Sequence, residues 1–338
     1  MKRIILIVSI VFLGILALQA QNTCADQLRL AQRRFDDGLL DEIPQLIVGC
    51  MKSGFTSEEK TNAYKLLIQT YLFNEQPEKA DEVMLQFLGE FSGYTLAAND
   101  PKEFINLYKT YRTDPIFKIE INVSGNYCLT PVVENYGPYN FNQIEPKYSP
   151  LPGFHAGINY VSTIYKELDY SIGATFSLLR YSYSNKPDIT SVLTGISSNY
   201  YLGLPVGVRY SFKLKGINMI AKAGVEAAYL LSSKMNLTRE PTGAGEPVIG
   251  TLDLTPYHKS LDIKPFISVG VNMKIRNIQL LVMAGMKFGT IVPLKNDTRL
   301  KDWDNYTKYS FQEDRYFLHQ PFVTISYFRS IYNPKKIL

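Results

Sequence analysis

Tyr200–Phe212 reads YYLGLPVGVRYSF, and its alternation decides how the rest of the chain is read. In an extended segment Leu202, Leu204, Val206, Val208, Tyr210 and Phe212 fall on one face, and Gly203, Gly207, Arg209 and Ser211 on the other. Large apolar groups against small or charged ones suit a strand with lipid outside and a polar lumen inside. A strand of a soluble sandwich alternates in the same way, so recurrence and connection lengths have to decide.

The period recurs from Pro115 onward. Phe117, Ile119, Ile121, Val123 and Tyr127 alternate with Lys118, Glu120, Asn122, Ser124 and Asn126. Further runs are Gly153–Val161, Leu168–Tyr183, Ser198–Phe212, Ile217–Leu231, Lys264–Ile275, Ile278–Thr290 and Tyr316–Arg329. Eight strands is the smallest common size of an outer-membrane barrel. The stretches 131–152, 184–197, 232–263 and 291–315 read as long polar loops, and Ser162–Glu167, Lys213–Gly216 and Arg276–Asn277 as short turns. Long and short then alternate, as extracellular loops and periplasmic turns do in such barrels. The short turns share a side with both ends of the barrel, which places whatever precedes it in the periplasm. Pro205 removes a ladder donor and predicts a bulge or local break near one rim.

Upstream, the period changes to that of helices. Ile43, Leu46, Ile47, Cys50 and Met51 form an amphipathic stripe; Leu66, Leu67, Thr70 and Tyr71 form a less complete one, and Val83, Met84, Phe87 and Leu88 another. Thr56 and Glu59 have capping-box spacing, and Gly38 and Asn74–Pro77 punctuate the pairs. Residues 21–114 therefore read as two antiparallel helical hairpins with a shorter helix near 101–111. RRFDDGLLDEI and TYLFNEQPEKADEV look like two copies of one helix–turn–helix unit, with Ala80 at a small-residue packing position, which resembles a degenerate tetratricopeptide repeat. Two repeats are few to stand alone. Cys24 opens the first helix and Cys50 closes the second, so in an exported protein they are expected to form a disulfide, the alternative being two buried thiols. Cys128 is left free.

Composition fits this division. Residues 1–20, MKRIILIVSIVFLGILALQA, have the basic start, apolar core and small final residue of a signal peptide; a retained anchor is the alternative. Cys24 in QNTCAD lacks the surroundings of a lipidated cysteine. No later segment is apolar for long enough to be a membrane helix, so a spanning structure would have to be a closed barrel. The 24 Tyr and 18 Phe suit aromatic girdles. Residues 21–114 hold 10 Lys and Arg against 15 Asp and Glu, while the whole chain is +5, so the barrel segment carries the positive excess. That suits anionic headgroups and is too mild for nucleic acid.

LGLPVGVRYSF, with its Leu204-Pro205 pair after a barrel hairpin and a helical module, resembles the PorT-like outer-membrane β-barrel family of Bacteroidetes over about 115–330. The ALQAQ export end and Asp114-Pro115 before the first strand are similar too. The resemblance implies an outer-membrane location and, for some members, a role in secretion or gliding machinery, which does not transfer by fold alone. It brings no catalytic motif.

Lys118, Glu120, Arg209, Lys222, Glu226, Lys274 and Lys287 are the expected lumen-facing ionic residues, filling an eight-stranded interior without an open channel. Chemistry is sparse. His155 faces the lumen, His258 lies in a long loop and His319 starts the last strand; some small barrels are lipid hydrolases, which makes His155 the residue to watch, but there is no G-x-S-x-G elbow. Asp302-Trp303-Asp304-Asn305 lacks the glycine turn and terminal Glu of a calcium loop. No zinc-spaced set or nucleotide fingerprint is present, so neither metal nor cofactor is expected. The expected protein is an outer-membrane barrel, N-terminal TPR-like helical hairpins followed by an eight-stranded antiparallel transmembrane β-barrel over 115–338. As a non-enzymatic scaffold or a component of an envelope or secretion assembly, it would meet an unidentified periplasmic protein through residues 22–112. The alternatives are a barrel-wall lipid-modifying hydrolase using His155, and a narrow channel or porin.

Overall fold

The computed structural model describes residues 23–135, 146–188, 190–275, 278–295 and 308–337. The expected signal peptide, the turn Arg276–Asn277 and the segment Asp302–Asn305 lie outside the described residues. The chain divides into two compact units: one runs to Ile116 and includes Tyr332–Leu338, and the other is Phe117–Ile331.

The first unit is helical: α1 over 23–36, α2 Ile43–Met51, α3 Ser57–Phe73, α4 Pro77–Glu90 and α5 Lys102–Tyr108. Gly38, at φ +77°, takes the left-handed turn after α1. Thr56 and Glu59 close a reciprocal capping box on α3, which satisfies two amides at its start. The incomplete stripe on α3 has a structural reason, because two cores share this helix. Ala63, Leu66 and Leu67 pack with Ala31, Ile43 and Ile47, whereas Tyr64 and Ile68 pack with Met84, Phe87, Phe104 and Tyr108. A disulfide joins Cys24 to Cys50. The last residues of the chain belong to this unit: the Arg112 amide donates to the Lys335 carbonyl (2.9 Å), the Ile337 amide to the Thr110 carbonyl (2.7 Å), and Lys336 pairs with Asp81 (2.5 Å).

The second unit is a ring of eight strands: β1 Phe117–Tyr127, β2 Lys147–Tyr165, β3 Leu168–Asp188, β4 Ser191–Leu214, β5 Ile217–Pro241, β6 Leu261–Ile275, β7 Ile278–Lys287 and β8 Gln320–Ile331. Each is antiparallel to its neighbours in chain order, β8 returns to β1, and the sheet is closed. Two short strands, Val132–Glu134 and Arg315–Tyr316, pair with each other, and Val248–Asp253 pairs with the far half of β5. The turn between β4 and β5 uses Lys215 and Gly216, both at positive φ, as a tight hairpin requires. Phe117 and Ile331, where the chain enters and leaves the ring, are register partners at this same end.

Two expectations need correction. The stretches 184–197 and 232–263 are not simply loops: β3 and β4 run to Asp188 and Ser191, which are register partners, and β5 continues to Pro241. The reason is an inversion of polarity along the strands. On β3, outward Ile172 and Phe176 give way to Arg180, Ser182 and Ser184, while inward Ser171, Thr175 and Ser177 give way to Leu179, Tyr181 and Tyr183. On β5, outward Val225 and Tyr229 give way to Lys234 and Asn236, while inward Lys222 and Glu226 give way to Leu230, Met235 and Leu237. On β3 and β4 the period of two continues and the apolar face changes sides; on β5 the extra residue Leu231, opposite Tyr200/Tyr201, shifts the inward row from Glu226 and Leu230 to Ser233, Met235 and Leu237. The second correction concerns the place of Pro205: the expected local break is present, but it lies mid-way between Tyr200 and Tyr210 and not near a rim. No bulge forms there: Ile172↔Val206 and Thr175↔Gly203 hold one register on β3, with the ladder interrupted between them. A proline withholds a donor without inserting a residue. The irregularity lies instead at Tyr200/Tyr201, opposite β5.

Between the aromatic rows the outer surface is apolar. On β4 the run from Tyr200 to Tyr210 rises about 33 Å along the strand and, at a tilt of about 40°, spans about 25 Å. Phe154, Phe176 and Tyr200 contact one another at the upper edge, with ring centroids 6.2 and 6.1 Å apart. Tyr160, Tyr170 and Phe117 cluster at the lower edge.

Candidate functional site

The inward face of the ring holds the charges. Glu120 on β1 is almost wholly buried; its Oε1 accepts from Ser326 (2.7 Å) and its Oε2 from Asn159 (3.2 Å). The same Oε2 lies 3.6 Å from Arg209 of β4 and 3.8 Å from Lys222 of β5. A second centre pairs Glu226 of β5 with Lys287 of β7 at 2.7 Å, and Thr175 donates to that carboxylate at 3.1 Å. Each cation also faces an aromatic ring: Arg209 stands 4.7 Å from Phe328, Lys222 5.7 Å from Phe266 and Lys287 5.9 Å from Phe322. Alternation forces this arrangement. Once the apolar residues of a strand face outward, the intervening Lys, Arg and Glu have only the interior, where burial is tolerable when they pair.

Of the expected interior set, Glu120, Arg209, Lys222, Glu226 and Lys287 therefore converge. Lys118 lies on the inward row, half-buried, without an ion pair among the described residues. The side chain of Lys274 lies outside the described residues. Sequence reading missed Lys264, which pairs with Asp262 at 3.7 Å and covers the Tyr201 ring at 4.0 Å; its inward phase on β6 was the available signal. The side chains leave a cavity of about 50 Å³ bordered by Glu120, His155, Lys222, Glu226 and Lys287. That is room for one or two waters.

Towards the end of the ring opposite the tight turns, the interior becomes apolar. Cys128, Leu179, Tyr181, Tyr201, Leu230, Tyr316 and Leu318 pack together, and Tyr183, Leu193, Met235 and Leu237 pack with Tyr309 and Phe311 further out. Segment 308–319 supplies the filling from inside. It is held by His258, whose Nε2 lies 2.8 Å from the buried Glu313, and by Tyr148 donating to Asp314 at 2.8 Å, while Tyr316 donates to Glu313 within the segment. The His258–Glu313 pair joins two loops and has no local sequence signal.

His155 lies in the lumen beside Ser124. The Ser124 hydroxyl meets Nε2 at 2.7 Å and also contacts Thr324, while Nδ1 faces Gln320 at 3.4 Å. Among the described residues no carboxylate hydrogen-bonds this imidazole, and the adjoining cavity would not admit an acyl chain. His319 bridges Leu129 through its backbone, just ahead of β8. No cluster of metal-ligating side chains occurs among the described residues.

No family model and no curated protein matches the chain. Among solved structures it is similar to Neisserial surface protein A (10% identity, 64% of this chain and 97% of that chain, TM-score 0.30). It is also similar to Ail, the attachment invasion locus protein of Yersinia pestis (9%, 64% and 99%, TM-score 0.27). The N-terminal β-barrel domain of Pseudomonas aeruginosa OprF is a third (8%, 63% and 97%, TM-score 0.22). These likenesses are too loose to bear on function, and the ring stands on its own strand register.

Proposed function

We propose that the protein is an outer-membrane β-barrel whose helical unit works in the periplasm as a docking platform for another envelope protein. The observation that carries the membrane reading is the inside-out polarity of the ring: an apolar outer band of bilayer height around buried ion pairs. Both covalent connections to the helical unit leave the ring at the tight-turn end, the periplasmic side in such barrels. The docking role draws support from paired helices carrying exposed Val48, Phe73 and Leu85, in keeping with the TPR-like and PorT-like resemblances. An open channel is disfavoured by the filled interior and the apolar packing beyond it, and a lipid hydrolase by the Ser124–His155 contact having no carboxylate on the imidazole among the described residues.

Single cysteines test the topology. With a membrane-impermeant maleimide on intact cells, Thr194→Cys on the far half of β4 should label and Val48→Cys on α2 should label only after the outer membrane is opened. The opposite pattern would overturn the orientation. Affinity capture from solubilised membranes with the intact chain and a Val48→Asp/Phe73→Asp variant then tests docking, which fails if the same proteins come down with both.

A further inference from the structure

The polarity inversion sets an unusual row of side chains at the rim of the apolar band. In the register of the ring, Arg180 on β3 is the partner of Ser198 on β4, and Ser198 is the partner of Lys234 on β5. All three point outward from adjacent strands, so two cations flank one hydroxyl about 10 Å apart at their Cα atoms. One register step inward lie Leu178 and Tyr200, at the top of the aromatic edge. Arg180 and Lys234 make no ion pair among the described residues. Asp253, the register partner of Lys234 in the following strand, accepts the Thr255 amide at 2.9 Å and interacts electrostatically with the Lys234 ammonium without an ion-pair contact.

We propose that Arg180, Ser198 and Lys234 bind the phosphate of an anionic lipid in the leaflet on the long-loop side. This rests on the bilayer reading given above. At that height a lipid places its phosphate, not its chains, against the wall. The guanidinium offers two parallel donors to a phosphate, the ammonium a mobile third, and the hydroxyl lies between them. Their long side chains can converge over Ser198, as two cations on neighbouring strands could not do without crowding. Lys186, further out on the same strand as Arg180, is exposed and lies away from the aromatic edge; it serves as the control.

Full-length protein in phosphatidylcholine nanodiscs containing lipid A, a lipid with phosphate monoesters, provides the test, with retained lipid counted by native mass spectrometry. Wild type and Lys186→Gln should retain lipid A, and Arg180→Gln/Lys234→Gln roughly ten-fold less, as expected for losing charge-assisted bonds. Ser198→Asp, which keeps both cations but puts an anion between them, should fall with the double variant, covering the case in which that variant fails to fold. Equal retention by wild type and Ser198→Asp overturns the site. Release of lipid A by millimolar inorganic phosphate would reassign it to the free anion and overturn the lipid. Wild type that does not enter the bilayer, judged by extraction with alkaline carbonate, overturns the membrane reading and this site together; wild type that enters but does not discriminate overturns the site alone.

Discussion

Glu226 on β5 and Lys287 on β7 meet at 2.7 Å although β6 runs between their strands. Glu120 on β1 likewise reaches toward Lys222 on β5, half-way round the ring. Backbone ladders join only adjacent strands. These pairs brace the ring across its interior, a role the ladder cannot fill, and they do so where unpaired charge would be heavily penalised.

Removing one partner of the tighter pair should therefore be costly. Glu226→Gln leaves the Lys287 ammonium buried without its counter-charge and is expected to lower the unfolding free energy by about 3–5 kcal/mol. Adding Lys287→Met should restore part of that loss. Urea unfolding in lipid vesicles, run as a double-mutant cycle, measures the coupling; additive losses would contradict the brace.

The apolar band makes a depth-dependent prediction. Leu204 is outward-facing and 58% exposed in the middle of the band, so Leu204→Arg should cost about 2–4 kcal/mol in a bilayer. Thr194→Arg, on the outward face of the same strand beyond the polarity inversion, should stay within about 0.5 kcal/mol. Equal costs at the two positions would remove the case for a bilayer edge at Tyr200.

Which parts of this were legible follows from the range of each signal. Tyr200–Phe212 shows its faces locally because side chains of a strand alternate whatever lies beyond it. The buried stripe Ile43, Ile47 and Cys50 is local in the same sense. The strand ends were not legible, because Leu193 puts an apolar group on the inward row of β4, and Met235 and Leu237, in phase with outward Val225 and Tyr229, are turned inward by the irregularity at Leu231. A search for apolar-outward strands stops at Ser198 and Leu231. Glu226 and Lys287 could be assigned inward, but their pairing depends on the register of three strands. His258 and Glu313 come from loops with no period at all.

The disulfide gives the helical unit a redox dependence. Cys24 and Cys50 enclose a loop with a sequence separation of 26, for which the loop-closure estimate is about 3.5 kcal/mol. Cys24→Ser/Cys50→Ser should lower the thermal midpoint of the helical signal without shifting the unfolding of the ring, followed by helical and sheet circular dichroism bands in parallel. Coincident shifts of both bands would mean the two units unfold as one.

Acid should loosen the helical unit through Asp100. Burial raises the affinity of this carboxyl for protons, but donors from Lys65, the Ala97 amide and Tyr94 outweigh it, so the group is held below its ordinary 3.8. Asp81 is held low in the same way, burial being outweighed by Lys336 and Tyr111. An unfolded chain then binds more protons than the folded one just below pH 4. The stabilisation is complete above about pH 4 and is lost as pH falls through the depressed values. Near-ultraviolet circular dichroism between pH 6 and pH 2.5 should report this loss. Asp100→Asn should flatten the profile, and an unchanged profile would remove Asp100 as its source.

The filled interior makes the last prediction, and it separates a plugged barrel from a pore. The described cavity has room for one or two waters, and Tyr181, Tyr316 and Leu318 close the space beyond it with apolar groups. Ions crossing such a path would give up their hydration between side chains that are already paired, so wild-type protein should show no unitary conductance in planar bilayers. Taking out side chains should open the way only if both layers are breached. Glu120→Ala/Arg209→Ala enlarges the ionic layer and leaves the aromatic one intact, so it should remain silent. Adding Tyr316→Ala/Leu318→Ala should produce leak currents. Steps recorded from the wild-type chain would mean that a continuous water path exists, and the bracing role of the ion pairs would then have to be reconsidered as pore lining.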